Sequence, residues 1–523
     1  MKKLLALLLA LCLLLPAGLA AAETVFPLSE EKITFRIATW QRSGQVDYND
    51  MLMWQKYEEM TNVHIDWIHL PDSTFVERRN AMFTQDDLPD AIYRAKFSLS
   101  DVNKYAAEEM LLPLDDLVDN YAPNLQKFFA EYPQVRKALT MEDGHLYSLG
   151  YFNICDGLTV YTRQFLNMDW MNRLNLQVPT TIDEFTDVLR AFRDGGDLNG
   201  DGEANEIPFT ISDLESVNFG SRLFLGSFGV YDSIDSYLAL DGEGHVVYNP
   251  VQEGYRKYLN WMNTLYSENL LDSEAFTHDF AGFKAKTRLT ENEIVGLQVC
   301  WSLDTIGNDN YTMLLPVTGP DGDRMISANS TYNKLGTSNY NCFEITIANP
   351  DPAATMRWLD ELYSDEYGIQ AYYGAYDSAL GVNEDGTIYQ LDPPEGYTLN
   401  SWCWTVGMND NFVGYVSKAI EDKLVFNDVY STTGRSKLDD DARYLPYTDE
   451  SRNFPNVTLT ESENEEIALL KTDIDSIRSE YAARWVVEGG IDDQWDAYVA
   501  QLNDAGLSRY LEIYQAAYDR LNG

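Results

Sequence analysis

The sequence predicts an α/β protein built as two lobes, and three observations predict it. Strand-like and helix-like stretches alternate through the first hundred residues, the pattern of a parallel sheet with helical crossovers. The 523 residues exceed what one hydrophobic core can hold. No short repeat and no long low-complexity linker divides the chain, so passages between lobes must be brief, as strands would make them.

The first element is an export signal. Met1-Lys2-Lys3 is a cationic start, Leu4 to Leu15 an apolar run, and Pro16-Ala17-Gly18 a break. Ala20-Ala21-Ala22 supplies the small residues of a cleavage site, so residues 1–22 read as a signal peptide. A membrane span needs about 18–20 apolar residues, which this run lacks. The mature protein is therefore expected to be extracellular, at the cell surface or periplasmic. Cys12 lies in the middle of the apolar run and follows the bulky Leu11, so no lipid anchor is expected.

The alternation begins with Ile33 to Thr39, a run rich in β-formers that reads as a strand. Asp47 to Met60 carries Met51, Trp54 and Tyr57 at helical spacing, Val63 to Ile68 is a second strand, Phe75 to Phe83 a helix, and Asp90 to Tyr93 a third strand. Ligands of parallel sheets sit beyond the carboxyl ends of the strands. That rule selects Trp40, Tyr93 and Arg94; the plain alternative is a packed ring or a surface arginine. Leu158 to Thr162 is a possible strand and Gln164 to Leu174 a helix. Thr181 with Glu184 three residues on is a capping-box pattern and starts a helix to about Arg193. Gly254 to Asn269 is amphipathic, Ile294 to Trp301 and Phe343 to Ala348 are strands, and Ala353 to Tyr363 is a helix. Ser462 to Leu521 is helical, broken near Gly489-Gly490 and Gly506.

Composition excludes some partners. With 83 acidic and 38 basic residues the net charge is −45. Nucleic acid needs a basic stripe that this chain lacks, and long-range repulsion disfavours anionic polysaccharides unless an arginine cluster offsets it. Cys155, Cys300, Cys342 and Cys403 form no CxxC pair; three full pairings and buried free thiols all stay open.

The sharpest motif is Asp197-Leu198-Asn199-Gly200-Asp201-Gly202-Glu203-Ala204-Asn205-Glu206. Oxygen side chains recur at the first, third and fifth positions, and a glycine at the sixth permits a sharp turn, as in the opening of a calcium loop. The bidentate Glu of an EF-hand belongs at the twelfth position, where Pro208 stands. Asn205 and Glu206 would close a tighter loop, with Glu203 giving its carbonyl. The expectation is structural calcium; the plain alternative is a polar turn.

Enzyme signatures are missing. The five histidines form no HExxH and no zinc spacing with cysteine. Leu225-Gly226-Ser227-Phe228-Gly229 misses the nucleophile elbow at its first glycine, and no phosphate loop or GxGxxG occurs. Carboxylate pairs for glycoside cleavage are too numerous to weigh. Aromatic residues make up 13%, with 34 Tyr and 11 Trp. Their rings stack on the C–H faces of sugars, and Trp40, Tyr151, Trp301, Tyr332, Trp402 and Trp404 stand where loops are expected. Arg42, Arg94 and Arg222 are candidates to hydrogen-bond hydroxyls or a carboxylate. Trp402-Cys403-Trp404 is read as extended, its two indoles pointing oppositely. Core packing is the competing role for each ring.

The order of motifs resembles the family 1 extracellular solute-binding proteins of carbohydrate ABC transporters, in the large branch with oligosaccharide- and alginate-binding members. Trp54 to Trp67, Leu88-Pro89-Asp90-Ala91, Leu112 to Leu117, Pro179 to Phe185, the 197–208 loop, Tyr258 to Leu271 and Trp495 to Tyr518 carry the likeness. The resemblance implies a periplasmic-binding-protein-like fold of type II, with two α/β lobes joined by a hinge and a ligand cleft between them. Lobe one is expected at 28–150 plus about 290–350, and lobe two at about 151–289 plus 351–523. It also implies calcium on Asp197, Asn199, Asp201, Glu203, Asn205 and Glu206, a monomer, and delivery of a carbohydrate to membrane permease subunits by hinge closure, without catalytic residues. A secreted glycan-cleaving enzyme and a glycan-binding component of a surface sensor are the alternatives. Two departures stand out: the anchoring cysteine of many relatives is absent, and Tyr373 to Leu380 differs from the Gly-rich segment the family leads one to expect.

Overall fold

The computed structural model describes residues 24–522, apart from 42–44, 72–73, 85–86, 95, 142, 154–161, 215–218, 233–236, 290, 301–302, 327–331, 334–335, 398, 409–411, 426–441, 456 and 458. The signal-peptide expectation lies outside the described residues. In chain order the first strands are β1 (Ile33–Gln41), β2 (Val63–Pro71), β3 (Ala91–Tyr93), β4 (Leu149–Asn153), β5 (Arg163–Asn167), β6 (Ile207–Thr210), β7 (Leu238–Leu240) and β8 (Val246–Tyr248). They are followed by β9 (Val295–Cys300), β10 (Tyr311–Leu314), β11 (Tyr332–Asn333), β12 (Gly336–Ile345), β13 (Leu380–Val382), β14 (Ile388–Gln390), β15 (Gly414–Val416) and β16 (Leu424–Val425).

Two compact units share these elements. The first holds residues up to Phe152 and Asn339–Leu424; the second holds Asn153–Ser338 and Val425–Gly523. The chain passes between them three times, each time within a strand: β4, β12 and β16. This differs from the expected division. Residues 290–338 belong to the second unit because β9 pairs with β5 and β6, and β10 with β5. Residues 351–424 belong to the first, whose aromatic core takes in Trp358.

The first unit is built on a sheet of order β15-β4-β12-β3-β1-β2. β1 runs parallel to β2 and β3, with Trp40 opposite Leu70 and Ala38 opposite Ile92, and β12 runs antiparallel to β3. One face packs Trp54, Trp67, Tyr93 and Trp358, where Trp54 stacks on Trp358 at 5.7 Å between ring centroids. Another cluster joins Ala38, Leu70, Ile92, Phe97, Val102 and Tyr105. Helices Pro123–Glu131 and Pro352–Asp360 are tied by the buried Asp360 carboxylate, which accepts the amides of Asn124 at 3.1 Å and Leu125 at 2.9 Å. Burial pushes that carboxyl up to about 7.

The second unit centres on a sheet of order β10-β5-β9-β6. The helix expected over 164–174 is instead β5 followed by a short helix, Met168–Arg173. A short run buried at every residue shows no period that separates the two elements, and pairing of β5 on both edges decides it. Helix Ile182–Asp194 lays Ile182, Phe185, Leu189 and Phe192 on the core, and Thr181 Oγ accepts the Glu184 amide at 3.2 Å. It approaches β9 so closely that a Cβ on Gly296 would lie 2.4 Å from the Phe192 ring. Helices Glu461–Glu488, Ile491–Asp504 and Leu507–Asn522 close the core, with breaks at the expected glycines. No helix among the described residues is long and apolar enough to cross a membrane.

Candidate functional site

Two groups of residues carry chemistry, one in each unit. In the first unit, β1 and β3 run parallel and end beside each other, delivering Trp40 and Arg94. Arg94 and Lys96 both hold a left-handed backbone, φ +52°, a conformation side chains other than glycine seldom adopt and that recurs at binding sites. The Lys96 ammonium lies 3.3 Å from the centroid of the Trp40 ring, a cation–π contact, and Phe75 flanks the indole at 6.4 Å. Arg94 donates from Nη1 to Cys342 Sγ at 3.3 Å, and its guanidinium stands 5.9 Å from the Tyr151 ring. Tyr151 in turn stacks near Tyr372 at 6.3 Å and meets Phe412 edge-on at 5.5 Å.

A half-buried pair lies in the same unit. Trp402 donates its indole N–H to the Ser378 carbonyl at 3.1 Å and packs on the exposed Tyr397 at 5.2 Å. The extended reading of 402–404 is corrected: both tryptophans lie on helix Leu399–Val406.

Several expectations move. Tyr93 is fully buried, with its ring among Trp54, Trp67 and Phe343 and its hydroxyl accepting the Val413 amide at 3.1 Å, so it is a core residue and faces no ligand. Arg222 is also buried. Its Nε donates to Asp232 Oδ2 at 2.6 Å, and its guanidinium lies 3.8 Å from the Tyr237 ring, whose neighbour at 4.2 Å is Arg478. That pair is buried within the second unit. Arg42 and Trp301 lie outside the described residues, as do the side chains of Tyr332 and Trp404. Cys300, Cys342 and Cys403 are buried, and burial pushes the Cys403 thiol up to about 12. Tyr372, Phe412 and Lys96 escaped sequence reading; the helical spacing of 365–373 and the cation two residues past Arg94 were the only signals.

The second group is the 197–206 loop. Asp197 accepts the amides of Gly200 at 2.6 Å and Gly202 at 3.0 Å, Asn199 accepts that of Asp201 at 3.0 Å, and Asp201 accepts that of Glu203 at 2.8 Å. Gly200 and Gly202 hold φ of +83° and +92°, which lets the loop wrap. Glu206 Oε1 reaches back to the amides of Leu198 and, at 3.2 Å, Asn199. The Asn199 amide nitrogen stands among oxygens: Asp201 Oδ2 at 3.1 Å, Asn205 Oδ1 at 3.5 Å and the Asn292 carbonyl at 3.4 Å. Carboxylates, amides and carbonyls wrapped this way are a hard-cation donor set. Among the described residues no cluster of three His, Cys, Asp or Glu side chains is drawn together around a metal position. The amides and carbonyls of Asn199, Asn205 and Glu203 must therefore complete any such site.

The model of the family described as bacterial extracellular solute-binding protein matches residues 45–210. The fructooligosaccharide ABC transporter substrate-binding protein FusA of Streptococcus pneumoniae is 30% identical over 519 residues, 95% of this chain and 91% of that protein. The structure of FusA in complex with kestose is similar with a TM-score of 0.83 at 28% identity, covering 94% of this chain and 99% of that one. An EF-hand mutant of FusA in complex with fructo-nystose is similar with the same TM-score and coverage.

Proposed function

This chain belongs to the bacterial extracellular solute-binding proteins, and on that premise we propose that it captures a neutral oligosaccharide and delivers it uncleaved to the permease of an ABC importer. The observation that carries the reading is the likeness to FusA along nearly the whole chain, in sequence and in fold together. The net charge of −45 favours an uncharged ligand. The fructooligosaccharide named for FusA sets the class proposed here.

In this reading the exposed Lys96 and Tyr397 and the half-buried Tyr372 and Trp402 meet the sugar, and the buried Trp40, Arg94 and Tyr151 back them, Trp40 against Lys96 and Tyr151 between Arg94 and Tyr372. Rings cover its C–H faces, and the cations donate to its hydroxyls, which need no general acid or base. Arg42, Trp301, Tyr332 and Trp404 join the proposal from the sequence alone. The test is isothermal titration with kestose, followed by mass analysis of the recovered ligand. A micromolar Kd, about −8 kcal/mol, with the trisaccharide returned intact is the expected result. No binding across a panel of neutral oligosaccharides, or cleaved products, would overturn it.

The 197–206 loop is proposed to hold calcium through the side chains of Asp197, Asn199, Asp201, Asn205 and Glu206 and the carbonyl of Glu203. The EF-hand named for the FusA mutant supports this, as does the all-oxygen donor set. When bound, the ion neutralises the clustered carboxylates and pins the loop. This chain's part is to turn the Asn199 amide so that its oxygen faces inward. Titration of chelator-stripped protein with calcium tests it; an absence of uptake would refute it.

A further inference from the structure

We infer that the calcium site is completed from outside its loop, by the backbone carbonyl of Asn292. This rests on the calcium reading above and says which further atom serves it.

The carbonyl is already aimed at the loop interior. It lies 3.4 Å from Asn199 Nδ2, the atom that Asp201 Oδ2 and Asn205 Oδ1 also approach. Three oxygens from three positions thus converge on one amide donor, and the third comes from a segment far along the chain. Calcium takes six to eight oxygens. The twelfth position, which supplies two of them in an EF-hand, is Pro208 here. The six loop donors named above meet the lower end of that range, and a carbonyl from elsewhere would raise the count to seven.

The turn that presents Asn292 is held in place independently of the loop. Asn292 has φ +53°, a left-handed conformation that asparagine tolerates. The next side chain, Glu293, accepts the amides of Asn308 and, at 2.6 Å, Asn310. Asn308 also donates to the Leu289 carbonyl at 3.1 Å, so the turn is clamped at both ends. The ladder fixes its distance from the loop: the Ile207 amide donates to the Ile294 carbonyl at 2.7 Å, and Ile207 pairs with Val295 at the start of β6 and β9. Calcium bound here would tie the loop to the leading end of β9, a central strand of the second unit.

The test compares wild type with Asn292→Gly, which keeps the left-handed turn, and Asn292→Val, which a β-branched side chain drives out of it. Calcium affinity is read by titration, and bound water by the luminescence lifetime of terbium substituted into the site, in light and heavy water. The Gly variant should stay within about twofold of wild type, and the Val variant should lose about tenfold in affinity and gain about one metal-bound water. Val and wild type with the same affinity and hydration would overturn the inference while leaving the calcium reading intact. A wild type that takes up no calcium would overturn both. If Asn292→Val does not fold, Asn310→Ala loosens the clamp without touching the carbonyl; a several-fold loss supports the inference, and unchanged affinity overturns it.

Discussion

Replacing Glu344 by glutamine should reverse the order of stabilities between acid and alkaline pH. Glu344 sits on β12 opposite Ile92, fully buried. One oxygen accepts the Ser148 hydroxyl at 2.6 Å, and the other, Oε2, has no hydrogen-bond partner among the described residues. Burial pushes the carboxyl from 4.5 up to about 8, a shift that Asp101 reinforces and that Ser148, Arg79 and Arg94 oppose. The folded chain therefore holds a proton that the unfolded chain releases near 4.5. Stability is fully present below that pH and is lost as pH climbs through about 8. The full interval is worth roughly 5 kcal/mol, of which about 4 falls between pH 5 and pH 9. Glutamine stays neutral throughout and still accepts from Ser148, but it buries an N–H group without a partner, at about 1–3 kcal/mol. The variant should be the less stable protein at pH 5 and the more stable at pH 9. Urea denaturation followed by tryptophan fluorescence at pH 5, 7 and 9 measures the gap. The Asp360 carboxyl, also raised, is common to both proteins and cancels. A gap that stays constant within about 1 kcal/mol from pH 5 to pH 9 would refute the assignment of a buried neutral acid.

Other expectations are simpler to check. Asp232→Ala removes the carboxylate that pairs with the buried Arg222 guanidinium beside Tyr237 and Arg478 and should cost about 3–5 kcal/mol in chemical denaturation. Gly319→Ala would put a Cβ 1.5 Å from the Ser227 carbonyl; the backbone must move, so a loss of about 3 kcal/mol or failure to fold is expected, read as thermal midpoint and soluble yield. Trp402→Ala removes a half-buried ring outside the main core; kestose affinity should fall about tenfold by titration while the thermal midpoint changes little.

Much was legible in the residues. Periodicity located β1, β2, β3, β9 and the long helices, because each presents a buried face whose spacing the backbone dictates. Gly489-Gly490 and Gly506 marked the breaks in the tail, where positive φ excludes most other residues. Alternating oxygen side chains marked the 197–206 loop, since such chemistry is local by construction.

Tertiary structure alone decided the rest. Whether Arg163–Asn167 is strand or helix depends on partners on both of its edges, which a single run of residues does not contain. The same holds for Tyr93, aimed by the end of β3 toward a ligand but claimed by Trp54, Trp67 and Phe343, and for Arg222, claimed by Asp232. The division of 290–338 and 351–424 between the units follows from strand pairing and core packing across long separations. Local chemistry and periodicity are written along the chain. Burial and partnership are properties of segments that meet only when it folds, and so the carbonyl of Asn292 could not be matched to a loop some ninety residues before it until β6 and β9, the strands that follow the two, were paired.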